Sequence, residues 1–547
     1  MPKSKRILSV VLVTSLLVTF SVQATQAVEV TFPDANLEAE VRSHLGIPAP
    51  TPITDADMAT MTSFFSRWSD ISDIQGMEHA TNLIDLDLYH NNISNLSPVS
   101  GLTNLNALIL GYNDIADISP VAGLTNLTTL LLNVNQVSNI TPVAGLTNLT
   151  HLDLDYNSIS DISAVSALTN LDYLSLYHNN ISNISAVTGL TNLIYLRLPN
   201  NNIDDISAVS GLTNLTSLKL EYNNIGNIAA VAELTNLTEL YLYDNTISDI
   251  SAVAGLTNLT DLRLNDNNIS DISAVAGLTN LTHLFLFGNE ISDSSAVAGL
   301  TNLNRLYLYN NQMETLDLEG SNLSSLQEFQ VYNNPLTKVL LANATLSQAT
   351  FDTLMNDGSY CGITSCDRIV TLDMSGVDFS NISDLSNMYT MDHLEVLLLT
   401  NATNLDGSDV VTLTSQLDSL NRLNVAGLWD CFDSAEQNSL LTWDAIEGNT
   451  LITSQRLPGD ANEDGTVDGS DATILANYWQ VGVGDGQTAT WSMGDFNDDG
   501  AVDGSDATLL ASHWQESIGG NPMVSVPEPA MLTMLLIFAG LGLFWKK

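Results

Sequence analysis

The sequence predicts an α/β solenoid, with parallel strands on a concave face, 3₁₀ turns on a convex face and helices closing the N-terminal end. Three observations carry this. Thr-Asn-Leu recurs from Thr81 to Thr301 in steps of 22 residues, eleven times without an insertion. Each unit, such as LTHLDLDYNSISDISAVSALTN from Leu149, follows Leu-x-x-Leu-x-Leu-x-x-Asn-x-Ile-x-x-Ile. No single unit can bury its own leucines, so neighbours must stack into one continuous core. At about 4.8 Å per strand the eleven units would extend roughly 50 Å.

The elements follow in chain order. Lys3, Lys5 and Arg6 precede an apolar run over 7–22, and small residues at Ala24 and Ala27 offer cleavage points. Residues 1–27 therefore read as a secretory signal peptide. Residues 28–78 contain FPDANLEAEVRSHLGI and ITDADMATMTSF, two short helices with polar starts at Asp34 and Thr54, expected to cap the open end of the core. Residues 79–320 hold the eleven repeats. Leu83, Leu86 and Leu88 and their copies are expected to point inward. The column Asn91, Asn113, Asn135 and on to Asn311 stands where each strand ends, placed to serve the backbone and the next repeat as an amide ladder. Ser97-Pro98, Ser119-Pro120 and Thr141-Pro142 are expected to start the convex turns, the hydroxyl acting as N-cap. Beyond 320 the period breaks, and LQEFQVYNNPL, IVTLDMSGVDF, LEVLLLTNATNL and LNRLNVAGL read as degenerate repeats ending in a cap over 321–455. The whole pattern resembles the leucine-rich repeat of the short bacterial internalin-like class, helical N-terminal cap included.

Copies of a repeat can be compared with one another. The Leu, Asn and Ile columns stay constant, while the strand positions that would face out of the concave sheet vary. Residues 79–320 contain four basic side chains, Arg197, Lys219, Arg263 and Arg305, all on those strands. Aromatics gather beside them: Tyr177, Tyr195, Tyr241, Tyr243, Phe285, Phe287, Tyr307 and Tyr309. Aromatic and arginine side chains together make binding hot spots, and flat rings also suit sugars. A protein or glycan ligand is the functional reading. The structural one is that aromatics favour strands anyway, with Glu221, Glu239 and Asp261 pairing the bases across strands.

Two later stretches nearly repeat each other: GDANEDGTVDGSDATILANYW over 459–479 and GDFNDDGAVDGSDATLLASHW over 494–514. Asp460, Asn462, Asp464, Asp468 and Asp471 fall at positions 1, 3, 5, 9 and 12 of a calcium loop; Asp495, Asn497, Asp499, Asp503 and Asp506 do the same. Thr466 and Ala501 stand at position 7, where the ligand is a carbonyl, and Gly465 and Gly500 at the sharp turn of position 6. Four carboxylates gathered within about 5 Å repel by about 5 kcal/mol per loop even in a water-like dielectric, so two calcium ions are expected as cofactors. This duplication over 456–516 resembles a type I dockerin, a small all-α calcium-loop domain. The resemblance implies a cohesin-like partner. The pairs before the last ligand, Gly469-Ser470 and Gly504-Ser505, differ from the hydroxyl pairs common in that family, so cohesin choice does not carry over.

Residues 517–547 end in Pro527-Glu528-Pro529, a short apolar run over 530–545, and Lys546-Lys547. A run this short is marginal for a permanent membrane span. The box, run and basic tip resemble a PEP-CTERM sorting signal. That resemblance implies a transient inner-membrane anchor cut by an exosortase, on the way to the cell surface or extracellular matrix of a Gram-negative-type bacterium. The formal charge of −47, with 15 basic residues against 62 acidic, leaves no basic stripe for nucleic acid. Cys361 and Cys366 are spaced for a local disulfide or are plain thiols, and with Cys431 they lack zinc-site spacing. No nucleophile elbow, His-Glu metalloprotease motif or phosphate loop is present. The expected function is non-catalytic: an exported binding protein with a ligand on the concave face and a dockerin for attachment. The alternatives are a structural spacer or a component of a polysaccharide-degrading complex.

Overall fold

A computed structural model describes residues 27–355, 369–428 and most of 432–452. It divides into two compact units, one ending at residue 269 and the other beginning at residue 270.

In the first unit, Asp34 caps α1 (Ala35–Leu45), its carboxylate accepting from Asn36 N and Leu37 N, and Gly46 ends the helix at φ 67°. Thr54 opens α2 (Asp55–Met58) with a reciprocal capping box to Asp57. Both helix starts match the expectation. The segment between α2 and the repeats also contributes a strand that was not foreseen, β1 (Ser63–Phe65), paired in parallel with β2 (Asp85–Asp87). Eight further strands follow in chain order: β3 (Ala107–Ile109), β4 (Thr129–Leu131), β5 (His151–Asp153), β6 (Tyr173–Ser175), β7 (Tyr195–Arg197), β8 (Ser217–Lys219), β9 (Glu239–Tyr241) and β10 (Asp261–Arg263). Each is parallel to the one before it, and residue i pairs with i+22, as Leu196 does with Leu218. The leucine, isoleucine and valine columns are all but fully buried, as a stacked-coil core requires.

Two side-chain ladders tie one coil to the next. Asn113 Nδ2 donates to Leu110 O (3.0 Å) in its own coil and to Leu88 O (3.1 Å) in the coil before. Its Oδ1 accepts from Ile93 N at 2.9 Å. The amide therefore reaches back to the preceding repeat, where the sequence pattern had it serving the next. The asparagine of Thr-Asn-Leu forms a second ladder: Asn104 Nδ2 donates to Thr81 O and Asn126 Nδ2 to Thr103 O, both at 2.9 Å. A further set of bonds, local to each coil, corrects the cap expectation. Ser97, Ser119 and Thr141 make no capping bond through their hydroxyls; they are the first residues of the 3₁₀ turns. An Asn or Asp two residues upstream accepts from their backbone N–H, as Asn95 does from Ser97 (3.0 Å) and Asp117 from Ser119 (2.8 Å). Asn227 caps Ala229 N in the same way at 2.9 Å, where there is no hydroxyl at all.

In the second unit, β11 (His283–Phe285) and β12 (Arg305–Tyr307) pair in parallel at the same 22-residue spacing, and β14 (Glu328–Gln330) pairs with β12 at 23, Arg305 opposite Glu328. A different sheet begins with β13 (Thr315–Asp317) and runs through β15 (Lys338–Leu340), β16 (Thr371–Asp373), β17 (Val396–Leu398), β18 (Arg422–Asn424) and β19 (Thr450–Ile452). Three helices, α3 (Gln348–Leu354), α4 (Gly407–Gln416) and α5 (Ser434–Asp444), accompany it. The degenerate fragments thus do supply strands: LQEFQVYNNPL gives β14, paired with β12, and the three later ones give β16, β17 and β18 on the new sheet. Ser294 is tied to the change. It occupies a column that is isoleucine from Ile118 to Ile272 and leucine at Leu96, and it is fully buried. Its hydroxyl accepts from Asp317 N at 2.8 Å and donates to Asp317 O at 3.3 Å, satisfying the backbone of β13 at that position.

Candidate binding face

The strand positions that alternate with the buried leucines carry the candidate residues, since successive side chains of a strand point to opposite faces. In the first unit they form clusters of ion pairs and stacked rings. Arg197 pairs with Asp155, two coils away, and its guanidinium lies 4.3 Å from the Tyr177 ring centroid. Asp155 also accepts from Ser175 Oγ (2.6 Å) and Tyr177 N (2.7 Å). Lys219 Nζ pairs with Glu239 at 3.0 Å and lies 5.5 Å from Tyr195 and 4.3 Å from Tyr241. Arg263 covers the Tyr241 ring at 4.2 Å and pairs with Asp261 at 2.8 Å, while Tyr241 Oη donates to that same carboxylate at 2.9 Å. His151, Tyr173 and Tyr195 stack face to face at 4.8 and 4.7 Å. Tyr243 meets Tyr222 edge-on at 5.2 Å.

Burial sets the electrostatics here. It pushes the Asp153 carboxyl up to about 6, helped by the neighbouring Asp155 charge. Burial raises Asp155 and Glu221 as well, against the pull of nearby cations. The Tyr173 and Tyr243 phenols are both pushed up to about 12, again chiefly by burial. Each of these groups is thus held closer to its neutral form than it would be in water.

In the second unit the face is aromatic. Phe285 stacks on Tyr307 at 4.6 Å, and Phe287, Tyr309 and Tyr332 stack in a row at 4.3 and 4.5 Å. Arg305 pairs with Glu328 at 2.9 Å, and Tyr307 Oη donates to the same glutamate.

Two of the three carboxylates expected to pair the bases do so, Glu239 and Asp261. Glu221 forms no ion pair among the described residues; Asp155 and Glu328 take that role. Sequence reasoning also missed Arg67, which pairs with Asp87 and lies 5.9 Å from the Tyr89 ring. It stands 22 residues before Tyr89, so carrying the period one step further back would have found it. Tyr332 was missed because it follows Tyr309 by 23 residues, one more than the repeat. The calcium-loop residues 460–506, Pro527, Glu528 and Pro529, and the three cysteines lie outside the described residues. For the loops the donor set can still be tested chemically. Aspartate, asparagine and carbonyl oxygens are all hard ligands, which fits calcium and excludes a thiolate metal site.

Comparison with known families agrees with this architecture. Six stretches within 125–190 and 213–320 match the two-copy leucine-rich repeat model, and 169–225 match a further leucine-rich repeat model. Residues 458–514 match the dockerin type I domain. The chain is a leucine-rich repeat protein, and it carries a type I dockerin domain. Among solved structures, an internalin (InlF) from Listeria monocytogenes is 34% identical, with 58% of this chain and 98% of that one covered and a TM-score of 0.49. Internalin C2 from the same species is 33% identical over 44% of this chain and 98% of that one, with a TM-score of 0.37. A leucine-rich repeat protein of Leptospira interrogans is 23% identical over 73% and 97%, with a TM-score of 0.48. A search of curated proteins gave no match.

Proposed function

We propose that this chain is a non-catalytic attachment protein of the cell surface or extracellular matrix. Its repeats hold a protein or glycan ligand on the outward strand positions, and its dockerin, loaded with two calcium ions, docks a cohesin-like domain. The observation that carries this is the duplicated donor set, Asp460 to Asp471 and Asp495 to Asp506, inside the segment matched by the dockerin model. Calcium would be held by those carboxylates, Asn462, Asn497 and the carbonyls of Thr466 and Ala501, and it would neutralise charges that otherwise repel. Export by the N-terminal signal, with a PEP-CTERM tail that anchors transiently in the inner membrane of a Gram-negative-type bacterium until an exosortase cuts it, completes the reading.

One observation favours the structural alternative: each of the four repeat cations already has a carboxylate partner in the chain. Titration calorimetry of the full chain against a panel of type I cohesins separates the two. Binding in excess calcium, abolished by EDTA and by Asp471→Ala with Asp506→Ala, is the expected result. No cohesin binding in either buffer would reject the docking role and leave the spacer.

A further inference from the structure

The first coil of the first unit and the last coil of the second are finished differently. Phe64 of β1, which pairs with Leu86, is 1% exposed, and His44 of α1 lies edge-on to its ring at 5.6 Å. In the second unit the described residues stop on β19, which pairs on one side alone, with β18. Its Leu451 follows Val339, Leu372, Leu397 and Leu423 in register. Those four are 0% exposed, whereas Leu451 is partly exposed.

Two more apolar side chains of that last coil reach solvent. Leu441 of α5 is 49% exposed, and Ile446, just beyond the helix, 57%. The helix itself is seated: Leu440 and Trp443 are buried, and Asp444 accepts from Leu451 N at 2.6 Å, tying α5 to β19. Its flank towards α4 is marked by Glu436, whose carboxylate a Cβ on Gly407 would strike. Leu441 is five residues further on, about 140° round the helix, so it looks away from α4 and towards the open side of the coil. A stack of repeats that ends on apolar side chains needs a terminal cap with a polar outer face.

The chain that follows fits this need. Five residues, 453–457, join Ile452 to Pro458, where the dockerin match begins. They span about 20 Å at most, which holds the dockerin segment beside the open coil at an effective concentration on the order of millimolar. Apolar residues recur in its two copies, Ile474, Leu475 and Trp479 in one and Leu509, Leu510 and Trp514 in the other. A domain this small buries a modest share of its own surface, so an apolar contact with the repeats supports both partners. The acids make that contact conditional. Without calcium the loops repel themselves and an already acidic chain; two divalent ions offset that charge.

We propose that the calcium-loaded dockerin segment, 458–514, is the cap of the last coil, covering Leu441, Ile446 and Leu451, so that calcium bound at the C-terminal loops stabilises the end of the repeats. This rests on the calcium-loaded dockerin of the proposed function and gives it a second, intramolecular partner.

Hydrogen exchange of the full chain in saturating calcium and in EDTA tests it, with calorimetry to count bound calcium. Calcium should slow exchange in α5 and β19 at least tenfold and leave β2 to β10 unchanged. Leu441→Asp with Ile446→Asp, both at exposed positions, should remove that protection while calcium still binds. Two results overturn the cap: calcium bound with no change in α5 and β19, or the same protection in the double variant. Both leave the dockerin reading standing, because it asks for calcium and a cohesin alone. No calcium bound at all would sink both. Sedimentation of the same samples covers the other occupant, a second copy: a dimer that forms without calcium and is lost in the double variant would assign these side chains to self-association and overturn the cap.

Discussion

Residues 27–269 and the first coils after residue 270 share one frame and carry different surfaces. In both, an asparagine ladder joins coil to coil: Asn201 bonds Ile181 N, Leu176 O and Leu198 O in the first unit. Asn334 bonds Met313 N, Leu308 O and Val331 O in the second. The outward positions diverge. The first unit interleaves tyrosines with cations held by carboxylates, whereas the second stacks Phe285, Phe287, Tyr307, Tyr309 and Tyr332. The strand-end turns diverge as well. At positive φ the second unit uses Gly288, Asn310 and Asn333, which tolerate it, while the first mixes tolerant residues such as Asn200, Asp244 and Asp266 with Trp68, Tyr112, Val134, Tyr156 and Tyr222. The frame is set by what the core and backbone demand; where the units differ, something other than folding has chosen the residues.

The largest effect should come from breaking the shared frame. Asn201→Ala and Asn334→Ala each strip three backbone groups of their partner, and each should cost about 2–4 kcal/mol. Hydrogen exchange read at the coils concerned would measure this, and a much smaller loss at Asn334 would break the equivalence of the two frames. Next is the acidic network of the first unit. The folded pKa of Asp153 is about 6 against 3.8 unfolded, so its ionisation disfavours folding. The stability it contributes is fully present below about 4 and is lost as pH rises through about 6. Asp153→Asn should therefore raise stability at pH 8 by on the order of 2 kcal/mol, and the gain should vanish towards pH 4. Thermal melts across that range would show it, and a gain that does not depend on pH would contradict the burial argument. The smallest effect belongs to the turns. Val134, a β-branched residue at φ 56°, should gain about 1 kcal/mol on replacement by asparagine, whereas Asn310→Val in the second unit should lose about as much. Equal and opposite shifts would confirm that the two turn columns are one position under different demands.

Much of the frame was legible because it is local or strictly periodic. Asp34 and Thr54 announced their helices through capping chemistry confined to a few residues, and the leucine and isoleucine columns announced burial by spacing alone. The ladder asparagines were legible as polar groups in an apolar register, though not the direction in which they reach. The turn caps were misread because serine and the upstream Asn or Asp are both good caps; only geometry shows that Asn227 caps Ala229 where a hydroxyl is missing. Ser294 was a visible departure from an isoleucine column, yet its meaning depends on Asp317, which lies 23 residues away on a strand the repeat does not contain.

By itself, the sequence determined the coil: its length, its buried columns, its strand-end asparagine ladder and the positions free to vary. That is because a 22-residue period makes every coil solve the same burial problem with the same residues. The tertiary structure alone decided which charges meet. Arg197 passes over the neighbouring coil to Asp155, 42 residues back, Lys219 and Arg263 take Glu239 and Asp261, and Glu221 is left with an oxygen unpaired. Several carboxylates lie within reach of each long side chain, and desolvation, rotamer and competing hydrogen bonds choose among them. Those choices exist only once the coils are stacked.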